Sequence, residues 1–193
     1  MADAGENSKP SPRVAALVEK AKEKALYSTY GNGESKKPLL AADVPEALAH
    51  IKANRDYTSY FLLLLLRQDY PDSYGKIPKK DKAAVLCSAL KNATSLNDWG
   101  HLGGGAAYDY NSAKALTEIG KDAIEFLLPL LDDKADALHW GSKAATISFA
   151  SKYRRCDFAY RYTLLILERQ PEFHRDLADR DKDIAELKRE VKK

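Results

Sequence analysis

The order of apolar residues predicts an all-α fold, an irregular stack of antiparallel helix pairs with about eight to nine helices. Apolar residues recur at three- and four-residue steps. The pattern is clearest in Leu116 to Asp133, LTEIGKDAIEFLLPLLDD, where Leu116, Ile119, Ala123, Phe126, Leu127, Leu130 and Leu131 share a helix face. No segment shows the period-two alternation of a strand. Glycine and proline fall mainly between the periodic segments, where they act as punctuation.

Residues 1–11 are small, polar and proline-containing, and read as a disordered tail ahead of a single domain over residues 12–193. A first helix is expected from Pro12 to about Tyr27, with Ser11 as N-cap and Pro12 at the first position, where its missing N–H costs nothing. Gly31 to Lys37 reads as a linker. Asp43 followed by Glu46 suggests a capping box for a second helix carrying Ala47, Leu48 and Ile51. The third helix, about Asp56 to Gln68, is apolar nearly all round through its leucine run, so neighbours must enclose it. Pro71 ends that helix, and Pro71 to Pro78 reads as a connector.

A fourth helix is expected from about Lys80 to Ala93, with Ala84, Val85, Cys87 and Leu90 on its core side. The long irregular piece TSLNDWGHLGGGAAYDYN follows. Loops of that length are uncommon in compact domains and are often functional. Then come the two short helices joined at Gly120, the second bent at Pro129 by the loss of one backbone hydrogen bond. A second loop, KADALHWG, leads into a helix from Ser142 to about Arg154, with Ser142 expected as its N-cap. Another runs from Cys156 to Glu168. After Pro171 a final helix spans about Arg175 to Lys192, its sparse apolar positions Leu177, Ile184, Leu187 and Val191 suiting a terminal helix.

The chain of 193 residues can bury one sizeable core. Its charge is uneven: 15 Lys/Arg stand against 11 Asp/Glu in residues 1–96, and 16 against 17 in the rest. Neither half has the dense cationic face that phosphate binding usually requires. The string KIPKKDK from Lys76 to Lys82 is broken by Asp81 and reads as a solvated loop and helix start. Cys87 and Cys156 sit inside apolar helical patterns, which favours buried free thiols over a disulfide and a reducing, cytoplasmic setting. The longest apolar run, Phe61 to Leu66, is far too short to cross a bilayer, and MADAGENSKPSPR lacks the apolar region of a secretory signal. His50, His101, His139 and His174 have no ligand spacing among them, so no metal or cofactor is expected.

Three clusters carry polar chemistry. Asn97, Asp98, Trp99 and His101 place an amide, a carboxylate, an indole and an imidazole together, a set suited to lining a pocket. The preferred reading is a loop anchored by Trp99, with Asn97 and Asp98 as turn residues. Gly103 to Gly105 lacks the Lys-Ser/Thr and the preceding strand of a phosphate loop. His139 and Trp140 precede a helix start, either packing back on it or projecting into the same groove as Trp99. Tyr153, Arg154, Arg155, Asp157, Tyr160 and Arg161 form the densest polar-aromatic patch. Asp157 and Arg161 are spaced as a helical ion pair, and a solvated charged turn is the ordinary reading of the patch. An anion- or peptide-binding edge is the functional alternative, because arginine presents a bidentate fork to acids.

LTEIGKDAIEFLLPLLDD, RDKDIAELKREV and DKAAVLCSAL resemble the helices of HEAT-type repeats, over about a quarter of the chain. LNDWG, HWGSKAAT and KYRRCDFAYRY are similar to segments of a bacterial family of helical proteins to which no activity attaches. The HEAT resemblance implies a non-catalytic scaffold with a groove for a protein or peptide partner, expected near the Trp99 and Trp140 loops. No complete catalytic constellation argues for an enzyme. An alternative is a nucleic-acid-binding or DNA-processing enzyme of the HEAT-like glycosylase type, for which Trp99, Trp140, Asp98 and Arg154 supply the residue types. A further alternative is a small-molecule-binding helical protein, with eleven tyrosines providing ring faces.

Overall fold

The computed structural model describes residues 11–24, 39–93, 96–100, 102, 111–137, 139 and 141–191. They form an all-α fold in which no strand occurs among the described residues, only an isolated antiparallel bridge between Asp136 and Arg154. Helix α1 spans Pro12–Lys24. The Ser11 hydroxyl accepts from the Val14 amide at 3.4 Å, as an N-cap should. The tail over residues 1–10 and the linker from Gly31 to Lys37 lie outside the described residues.

Helix α2, Val44–Ala53, starts where expected but without the expected capping box. Asp43 has helical backbone angles and does not cap it. Its carboxylate turns back to the Leu40 amide at 3.1 Å and to Arg13 at 3.2 Å. Glu46 instead accepts from the Ser11 amide, so both acids of the motif tie α1 to α2. Helix α3, Tyr60–Asp69, follows a 3₁₀ turn at Tyr57–Ser59 that Asp56 caps through the Thr58 amide at 2.9 Å. The expected connector after it holds a short helix, α4, Pro71–Gly75. Pro71 both stops α3 and opens α4, because a fixed φ and a missing N–H suit a first helical turn.

Helix α5 runs over Lys79–Asn92 and α6 over Asn111–Ile119. The expected second helix of the pair after Gly120 is fragmentary: a 3₁₀ turn at Gly120–Ala123, the four-residue helix α7 at Ile124–Leu127, and a second 3₁₀ turn at Leu128–Asp132. Pro129 sits at the start of that last turn, where a tighter bonding pattern replaces the one its ring forbids. Helix α8, Ser142–Ala150, begins at Ser142 itself after Gly141, so Ser142 opens the helix rather than standing before it. Helix α9 covers Arg155–Ile166, and α10 covers Leu177–Val191.

The leucine-rich α3 is central to the N-terminal half, as its all-round apolarity requires. Phe61, Leu62, Leu63, Leu65 and Leu66 are buried, with α1, α2, α4 and α5 packed around the helix. Helix α5 continues the core to α6 and α7. Its inner face carries Val85, Leu86, Cys87, Ala89 and Leu90, while Ala84 is only partly buried. Helix α9 is the counterpart in the C-terminal half, against α6, α7, α10 and the turn at Leu128–Asp132.

Gly120 has φ of +77°, and a Cβ built there would meet nothing within 4 Å. The penalty for a side chain is therefore conformational alone. Gly120→Ala should destabilise the protein by about 1 kcal/mol, and Gly120→Asn by less, because asparagine tolerates left-handed backbone. Urea denaturation of the two variants checks this order, and an alanine variant as stable as the parent would refute it.

Candidate functional site

The Trp99 loop is an interior junction. Residues Asn97–Trp99 form a 3₁₀ turn in which Trp99 is 3% exposed and Asn97 and Asp98 are half-buried. The indole lies between two tyrosines, stacked on Tyr60 at 6.5 Å and tilted against Tyr162 at 5.8 Å. The Tyr162 hydroxyl donates to the Trp99 carbonyl, and Tyr60 bonds the buried Ser112 hydroxyl. Burial, reinforced by the Asp98 carboxylate, raises the Tyr60 pKa, and burial raises that of Tyr162. His101 lies outside the described residues.

The two irregular loops do meet. His139 Nε2 bonds the Gly100 carbonyl at 2.9 Å, and Arg161 donates to the Leu102 carbonyl at 3.0 Å. The His139 ring packs against Tyr153 and Phe158, with centroids 5.8 and 6.0 Å away. An unbroken aromatic path thus runs from Tyr60 through Trp99, Tyr162, Phe158 and Tyr153 to Phe173. Trp140 lies outside the described residues.

The expected solvated face at Tyr153–Arg161 is buried. Asp157 does not depend on Arg161 four residues on. Arg154 reaches it with Nη2 at 2.8 Å, Nε at 3.3 Å and its backbone amide at 3.0 Å. Arg180 of α10 adds a further bond at 2.9 Å. Arg180 also donates to the carbonyls of Ser151, Lys152, His174 and Arg175, and lies over the Phe173 ring at 4.1 Å. Arg154 extends the network to Asp181 at 2.8 Å, and Lys134 bonds the same acid at 2.6 Å. Arg155 leaves the cluster for the Ala93 carbonyl and Asp133. Tyr160 is half-buried, its pKa raised by burial and by the nearby Asp183. Arg154, Arg155 and Arg180 are thus bonded to acids and carbonyls of the chain itself, and Asp157 to two of those arginines.

Among the described residues an open concavity lies between α2 and the start of α5. It encloses about 760 Å³ and has Leu48, Ile51, Ile77 and Pro78 among its lining residues. Five cations line it, Lys52, Arg55, Lys76, Lys79 and Lys80, against two acids, Asp81 and Asp122. Arg55 pairs with the buried Asp81 at 3.0 Å, and Lys80 reaches out to Glu125 at 2.8 Å. Lys52, Lys76 and Lys79 are exposed and have no ion pair among the described residues. The KIPKKDK string was the signal for this groove. It is the loop and helix start that the sequence suggests, with Lys76, Lys79 and Lys80 exposed, and Lys52 of α2 and Arg55 just beyond that helix line the same groove.

Among the described residues no group of His, Cys, Asp and Glu is placed to hold a metal ion, and no helix is long and apolar enough to cross a membrane. The molecule is thus an all-α protein with an occupied aromatic and ionic interior and a lysine-rimmed groove. No protein-family model matches the chain, nor does any curated protein or solved structure.

Two outcomes follow from this interior. Asp157→Ala would leave the buried Arg180 without its carboxylate and Arg154 with Asp181 alone, and should cost about 3–5 kcal/mol in chemical denaturation; a cost under 1 kcal/mol would show that the cluster is solvated. Cys87 and Cys156 are both buried, which pushes each thiol up to about 12. Both should resist a disulfide exchange reagent at pH 8 in the folded protein and react once it is unfolded. The folded thiols hold their protons more tightly than the unfolded ones. The stability they contribute is therefore whole below the unfolded thiol pKa and declines as the pH climbs toward 12.

Proposed function

We propose that the protein is a non-catalytic interaction module, a helical scaffold that takes a protein or peptide segment in the groove between α2 and α5. The carrying observation is the contrast between the two candidate regions. Trp99, His139, Arg154 and Asp157 are buried and bonded to other parts of the chain. The α2–α5 groove is open, partly apolar, and lined by the exposed Lys52, Lys76 and Lys79, which have no ion pair among the described residues. A shallow surface of that kind between packed helices suits an extended segment of another chain. The supporting helices are well anchored. Ile51 and Ile77 are buried, and α2 and α5 both pack on α3. The groove is thus largely formed before any partner arrives, which limits the ordering cost of binding.

Selection from a displayed random-peptide library tests the reading. Peptides should be enriched on the parent protein and lose affinity by about tenfold or more on Leu48→Glu, which puts a charge into the apolar lining. Circular dichroism should show that variant folded. Failure to enrich any peptide, or enrichment indifferent to Leu48→Glu, would overturn the proposal.

A further inference from the structure

Resting on that reading, we infer that the groove between α2 and α5 recognises an acidic segment, one carrying carboxylates interspersed with apolar side chains. The charge balance is the first argument. Among the described residues five cations and two carboxylates line the concavity, and the buried carboxylate, Asp81, is already paired with Arg55. Lys80 is drawn outward by Glu125 on α7. That leaves Lys52 on α2 and Lys76 and Lys79 at the turn into α5, from two sides of one groove.

The start of α5 adds to the same field. Pro78 precedes the helix and offers no side-chain cap to its first-turn amides. Those amides bear the positive end of a fourteen-residue helix, and Lys79, Lys80 and Asp81 of that turn line the groove. Lys82, just behind, is buried over the Tyr74 ring at 4.2 Å. Burial lowers its pKa, and the neighbouring Lys79 lowers it further.

The lining separates an acidic peptide from a nucleic acid. Leu48, Ile51, Ile77 and Pro78 offer aliphatic contact, and among the described residues no aromatic ring lines the groove on which a base could stack. Asp122 on the rim would also repel a continuous phosphate backbone, whereas a peptide can set an uncharged residue beside it. The aliphatic residues and the lysines suit a segment in which apolar and acidic side chains alternate.

The test uses the full chain and a fluorescein-labelled peptide repeating Glu-Glu-Leu, followed by fluorescence anisotropy. Its counterpart with Gln for Glu and a single-stranded oligothymidylate serve as comparisons. The acidic peptide should bind more tightly than the Gln peptide, and the preference should shrink as salt screens the pairing. The combined Lys52→Glu, Lys76→Glu and Lys79→Glu variant should lose about tenfold or more in affinity, as three exposed ion pairs would dictate. All three positions are exposed, so the variant should keep the parent's circular dichroism and melting temperature. Equal binding of the Gln peptide, with sensitivity to Leu48→Glu but not to the lysine reversals, would overturn the acidic preference and leave the module reading standing. Binding of the oligothymidylate in preference to the peptide would overturn the choice of partner. Absence of binding by either peptide, together with a failed library selection, would remove both proposals.

Discussion

Asp157 is a single carboxylate buried between two guanidinium groups, and the C-terminal half of the molecule is organised around it. Arg154 approaches from the turn that opens α9, and Arg180 from α10. Each guanidinium then reaches further. Arg180 satisfies four carbonyls, two in the turn after α8 and two in the segment before α10. Arg154 passes the network on to Asp181 and through it to Lys134. Such a cluster adds little net free energy over apolar residues of the same volume, because desolvation offsets most of the Coulombic gain. Its effect is to tie α10 to the start of α9, since separating them would part Arg180 from Asp157 and Arg154 from Asp181.

The aromatic path continues that organisation toward the N-terminal half. Phe173 lies under Arg180 at one end, and Tyr60 of α3 stacks on Trp99 at the other. Between them residues 96–100 and 102 are held by three side chains from outside the loop. Tyr162 and Arg161 of α9 hold the Trp99 and Leu102 carbonyls, and His139 holds that of Gly100. A loop buried against helices must find partners for its backbone carbonyls, and here side chains supply them. The residues that look most like chemistry in the sequence are the ones that satisfy this requirement. Polar and aromatic groups are needed wherever irregular backbone enters a core, so their density marks a junction as readily as a site.

Charge is used differently around the α2–α5 groove. Within the Asp157 cluster every cation meets an acid or a carbonyl. Around the α2–α5 groove, Lys52, Lys76 and Lys79 have no ion pair among the described residues. A folded chain tolerates unpaired cations only where water can reach them, and these three line a concavity with aliphatic residues in its wall. That combination of solvated charge and aliphatic wall directs the functional reading to this groove.

The sequence alone determined the helical class, the central place of the leucine-rich helix, the buried thiols, and most helix boundaries to within a few residues. These follow from three- and four-residue spacing, proline geometry and local caps, all of which act over one or two turns. It did not determine which acid meets which base. Asp43 and Glu46 have the spacing of a capping box, yet they bond Leu40, Arg13 and Ser11. Asp157 and Arg161 have the spacing of an ion pair, yet Arg154 and Arg180 take the acid. The groove was half legible, since KIPKKDK supplies Lys76, Lys79 and Lys80 together with Ile77 and Pro78, while Leu48, Ile51 and Lys52 come from α2 and Arg55 from just beyond it. Only the tertiary structure decided these pairings. Side-chain reach across packed helices depends on their crossing and register, and neither leaves a period in the sequence.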